Sequence, residues 1–146
     1  MAIPRRSQAF YRAVLALCPG ALAFAAHPAG TSQHAPELLG RWAGESECVG
    51  NHPACHAEHV VYQIDSAGAG AISVRGARVA GHDTVDMGTL ACRVSVARTA
   101  ARAEASCRIA VGVWRFWVDQ GQLGGALTLT DSSVARHVVA HRLTTR

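Results

Sequence analysis

The chain of 146 residues contains no lysine, so all fourteen of its basic side chains are arginines. With its heavy use of alanine, arginine and glycine, that gap suggests the mutational bias of a GC-rich bacterial genome more than a selected surface. Helical periodicity is missing beyond the first thirty residues, which excludes bundles and coiled coils. No G-x-S-x-G elbow, P-loop, H-E-x-x-H or dinucleotide fingerprint occurs, so the common hydrolase, nucleotide and zinc-protease chemistries have no foothold. No second long apolar run follows the first, so no membrane span is expected after the amino terminus.

What is present begins with an export signal. Arg5, Arg6 and Arg12 precede the apolar stretch "AVLALCPGALAFAA" (13 to 26), which is too short to cross a bilayer and is broken at Pro19-Gly20. Ala23 and Ala25 form an A-x-A cleavage pattern, which assigns 1–25 to a signal peptide, 26–37 to a flexible segment and 38–146 to one folded domain. Ser7 and Gln8 stand where a twin-arginine signal needs apolar residues, and Leu17 before Cys18 spoils a lipobox. Removing the leader leaves eleven arginines against ten acidic residues, so the basic charge gives no case for nucleic-acid binding. The expected location is periplasmic or secreted.

Four cysteines remain once Cys18 leaves: Cys48, Cys55, Cys92 and Cys107. In a small exported chain an even number implies disulfides, with three connectivities open to four cysteines. A hairpin folded about Thr99-Ala100 would set Val94 opposite Ala105, Val96 opposite Ala103 and Cys92 opposite Cys107. Directly opposed Cβ atoms lie within reach of a bridge, which favours Cys92–Cys107 and by elimination Cys48–Cys55. The second bridge closes a loop holding Gly50, Asn51 and Pro53, all turn formers.

Period-two runs recur about every ten residues between turn clusters such as "SAGAG", "AGHD", "DQGQ" and "TDSS". Eight strands are expected, over 38–48, 57–65, 71–79, 84–96, 102–110, 113–119, 123–130 and 134–143. A single layer of eight antiparallel strands hides its edges by closing on itself, so an eight-stranded up-and-down antiparallel barrel is the economical all-β fold. Alternation sends Val60, Tyr62 and Ile64 to one face of the second strand and Trp114, Phe116 and Val118 to one face of the sixth. In the last strand Val134, Arg136, Val138 and Ala140 share a face, opposite His137 and His141.

"GRW" (Gly40, Arg41, Trp42) at the start of the first strand, with Arg136 near the end of the last, resembles the lipocalins and related calycin barrels. In that resemblance a G-x-W motif opens the barrel and a terminal arginine packs across the tryptophan, here Trp42 and Arg136. Cation–π attraction and the arginine stem would close one end. The chain is shorter than a typical lipocalin and lacks the helix that follows the barrel there; it is more similar to compact lipocalin-like secreted bacterial proteins of unassigned function. The resemblance implies a non-enzymatic barrel without cofactor that holds a small apolar ligand or lipid, in a cavity lined by Trp42, Tyr62, Met87, Trp114 and Phe116. The competing reading is a periplasmic protein-binding module, such as a hydrolase or protease inhibitor, acting through a loop, a terminus or the outward Trp117.

The segment "CVGNHPACHAEH" (48 to 59) offers a metal alternative through His52, His56 and His59. Oxidised cysteines and the crowding of these donors weigh against it, and six residues between the cysteines exclude the usual haem-attachment spacing. Glu45 and Glu47 lie two apart on one strand face without a third carboxylate to make an acid–base pair. Arg93, Arg98, Arg102 and Arg108 crowd one hairpin, where a solvated face beside Glu104 explains them better than an acidic partner would.

Overall fold

A computed structural model describes residues 35–96 and 102–144. The expected signal peptide, most of the segment 26–37, the turn at Thr99-Ala100 and Arg98 lie outside the described residues.

A short 3-10 turn, Ala35–Glu37, leads into eight strands. They are β1 (Gly40–Cys48), β2 (Glu58–Ser66), β3 (Ala71–Ala80), β4 (Asp83–Val96), β5 (Ala103–Ile109), β6 (Gly112–Asp119), β7 (Gln122–Leu129) and β8 (Val134–Arg142). Each pairs antiparallel with its neighbour and β8 returns to β1, giving a closed barrel of sequential order. This is the fold that the alternation, the strand count and the turn clusters predict. The first strand starts two residues later than expected because Leu38 turns inward instead, where it is fully buried and its carbonyl accepts a hydrogen bond from Trp42 Nε1 at 2.9 Å.

The interior is packed by one residue in two from each strand. Trp42, Val60, Tyr62, Ile64, Ile72, Val74, Phe116, Leu123 and Val138 form its bulk, with Ala103, Ala105 and Ala140 where strands come close. Small residues let a narrow barrel fill with side chains instead of enclosing a large void. Both disulfides are the expected ones, Cys48–Cys55 and Cys92–Cys107. The second joins directly opposed residues, and the pairs Val94↔Ala105 and Val96↔Ala103 follow the hairpin arithmetic.

Two irregularities shape the ends of the barrel. A bulge in β4 at Asp86 to Gly88, opposite Gly76 and Ala77, bends the long β3–β4 hairpin. A second, at Ala135 opposite Leu127 and Thr128, buries Ala135 and resets β8, so that Arg136, Val138, Ala140 and Arg142 follow on the inward side. Among the described residues no helix is long and apolar enough to cross a membrane.

Candidate functional site

The open part of the interior is a slot at one mouth of the barrel, with a volume of about 120 Å³. Tyr62, Met87, Trp114 and Phe116, four of the five residues expected to line a cavity, come together around it with Val74 and Leu90. Phe116 forms the floor: Trp114 stacks on it with ring centroids 5.5 Å apart and planes 9° from parallel, and Tyr62 meets it edge-on at 5.5 Å. The space itself comes from Gly76. A Cβ there would sit 3.2 Å from Met87 Cε and 3.3 Å from Tyr62 Cε1, inside the slot. Met87, pushed outward at the bulge, is 45% exposed and forms the rim.

Trp42 is not among these residues. It is fully buried toward the other end of the barrel, and the arginine over it is Arg142, whose Cζ lies 4.2 Å from the indole centroid. The expected pair of Trp42 with Arg136 is therefore corrected, and the register explains why. Across β1 and β8 Trp42 stands opposite Arg142, whereas Arg136 stands opposite Cys48 at the far end of the strand. Arg142 also donates to the carbonyls of Leu39 at 2.5 Å and Glu37 at 2.7 Å, so it closes this end as Arg136 was expected to do.

Arg136 instead organises the slot end. Its Nη1 donates to Ser46 Oγ at 2.8 Å and to Glu58 Oε2 at 3.1 Å, and its Nη2 donates to the His56 carbonyl at 2.8 Å. Ser46 is fully buried, and the guanidinium is mostly so, which makes these partners obligatory. Burial pushes the Tyr62 hydroxyl up to about 12; the nearby Arg136 charge opposes this and Glu58 reinforces it. Sequence reading missed Ser46 and Glu58 as partners, though a buried-face arginine demands an acceptor; Ser46 lies on the adjacent β1 and Glu58 opposite it on β2.

The remaining candidates lie outside the barrel wall. Trp117 is half-buried, laid flat across β7 where Gly124 has no side chain: a Cβ there would stand 2.5 Å from the indole Nε1. The Arg102 guanidinium sits 5.0 Å from its ring centroid, so the expected outward aromatic is partly covered. A groove of about 440 Å³ runs beside it past His137 and His141. His59 Nδ1 pairs with Glu45 Oε1 at 2.5 Å on the outer face, His52 is half-buried and His56 is exposed. Cys48 and Cys55 are spent in their bridge, and among the described residues no group of three or more His, Cys, Asp or Glu is arranged to hold a metal ion.

No protein-family model matches the chain, and no characterised relative matches it. A search of solved structures finds a similar one in the crystal structure of a mutant of the fluorescent protein UnaG, with 10% sequence identity, a TM-score of 0.45, and coverage of 75% of this chain and 99% of that one.

Proposed function

We propose that this chain is an exported, non-enzymatic binding barrel that takes one small apolar group, about the size of an aromatic ring, into the slot beside Trp114. The observation that carries this reading is the slot's size and lining. At about 120 Å³ it is walled by aromatic and aliphatic side chains and has a flexible methionine at its rim. An apolar cavity of about 150 Å³ takes up benzene, whereas drug-sized ligands occupy pockets of roughly 300 Å³ and more. Carriage of a lipid chain, expected from the resemblance, has no support in an interior filled by Trp42, Phe116, Ile64 and Leu123. The two disulfides and the leader-like amino terminus support export.

Indole or toluene added to the purified chain should shift the nuclear magnetic resonance signals of Trp114, Met87 and Leu90. Gly76→Val, which fills the slot, should abolish those shifts while leaving the fold intact. Shifts confined to the outer groove by Trp117, or unchanged in Gly76→Val, would sink the reading.

A further inference from the structure

The β3–β4 hairpin is longer than the wall it belongs to. β3 pairs with β4 all the way from Asp83 to Arg93, but β5 pairs only with Arg93–Val96. The Cys92–Cys107 bridge marks the fork: beyond it, β4 from Asp83 to Ala91 has no strand on its β5 side among the described residues. A strand edge of that kind presents unpaired backbone N–H and C=O groups in alternation. All residues from Asp83 to Thr89 are exposed; the edge carries neither lysine nor proline, and its guards are the bulge at Met87 and the carboxylates Asp83 and Asp86.

The slot opens into the same gap. Met87, Gly88 and Leu90 come from the free strand, and Trp114 and Phe116 face them from β6. Val85 and Met87, both about two-fifths exposed or more, extend the apolar surface along β4. Two carboxylates, Asp83 and Asp86, lie on this edge, and neither has a cationic partner among the ion pairs of the described residues. Asp86 accepts the Gly88 N–H at 2.6 Å and forms no ion pair among the described residues.

We infer that β4 between Asp83 and Ala91 is a strand-addition site for an extended segment of a different polypeptide. That segment pairs along the edge, inserts one apolar side chain into the slot and sets one basic side chain on each face of the sheet, beside Asp83 on one and Asp86 on the other. The inference rests on the slot reading above and names the owner of the apolar group. A free small molecule fills the slot but leaves the edge unpaired. A second copy of this chain is a poorer complement, because its own edge from Asp83 to Cys92 brings the same two carboxylates and no cation. Main-chain pairing supplies affinity in such sites, and the pockets for alternate side chains supply selectivity.

The probe is a synthetic extended peptide of about eight residues, threonine-rich, with one central phenylalanine and two lysines near one end. Hydrogen exchange on the intact chain should show slowing of alternate amides between Thr84 and Ala91 when the peptide is added. Affinity should fall about tenfold in Met87→Asp, whose side chain is at the surface, and Asp83→Asn should weaken binding and flatten its salt dependence. Three results would overturn the inference. One is no slowing of those amides while indole still enters the slot, which leaves the slot reading standing. Another is the same slowing without peptide, growing with protein concentration, which identifies a second copy as the occupant. The last is peptide binding that is indifferent to both variants.

Discussion

Arg142 caps Trp42: the guanidinium lies 4.2 Å from the indole centroid, and its remaining donors reach the carbonyls of Leu39 and Glu37. One side chain therefore ties the last strand, the first strand and the segment that precedes it into a single end wall. Replacing it leaves three elements without a common anchor. Arg142→Ala should lower unfolding stability by about 2 kcal/mol, from a lost cation–π contact and lost charge-assisted hydrogen bonds. Arg142→Lys should recover only part of that, because an ammonium cannot stack and donate to two carbonyls at once. Denaturant titration of the two variants tests both statements, and equal stability in Arg142→Ala and the parent would contradict them.

Gly124→Ala should disturb Trp117 without touching the core. The new methyl would stand 2.5 Å from the indole nitrogen, so the ring must lift from β7 and leave the Arg102 guanidinium. Overpacking of this kind costs about 1–3 kcal/mol. Tryptophan fluorescence should shift to the red as the ring enters water, and Trp117→Ala in the same background should erase most of the penalty.

Alkaline unfolding should carry a Tyr62 limb. Its hydroxyl keeps its proton to higher pH in the fold, at about 12, than in the unfolded chain, at about 10.0. With the folded value raised, the contribution is complete below pH 10 and is lost as pH climbs toward 12. The span corresponds to about 3 kcal/mol. Tyr62→Phe should flatten the stability profile across that window, and an unchanged profile would refute the assignment.

The Cys48–Cys55 bridge and Arg136 hold the same loop. The bridge closes it covalently, and Arg136 ties it to the barrel by donating to the His56 carbonyl. Removing the bridge as a serine pair should cost about 2–3 kcal/mol by the chain-entropy account. Arg136→Ala should cost more, because it strands the Glu58 carboxylate and the buried Ser46 hydroxyl. The triple variant should lose less than the sum of the two, since a loop already released is not released twice. Strict additivity in thermal unfolding would show that the two restraints act on separate parts.

Most of the architecture was legible in the amino-acid order. Period-two runs such as 60–64 and 114–118 announced both the strands and their inward faces, and turn clusters placed the β2–β3, β3–β4, β6–β7 and β7–β8 connections. Cys92 and Cys107 were matched by counting outward from one hairpin centre, because antiparallel register is fixed once a turn is located. The partner of Trp42 was not legible by the same counting. β1 and β8 meet only when the barrel closes, no turn joins them, and their register depends on the bulge at Ala135. An inward arginine could be seen in the strand pattern; which of two arginines reaches the tryptophan could not.

The slot shows a similar division. Tyr62, Trp114 and Phe116 faced inward by alternation, and Met87 joined them as expected. The small volume was hidden, since it follows from how neighbouring rings stack and from the missing side chain of Gly76. The parting of β4 from β5 was within reach. Pairing about the Thr99-Ala100 centre uses up β5 well before β4 ends, which leaves the far half of β4 without a mate.

Arg136 and Arg142 look into the barrel from opposite mouths of the same strand. Sliding β8 by a single residue would lift the Arg142 guanidinium off Trp42, throw that of Arg136 into water and drive His137 and His141 into oil. The strand thus proofreads its own placement at two points, and a misaligned closure is penalised at both ends before the core is sealed.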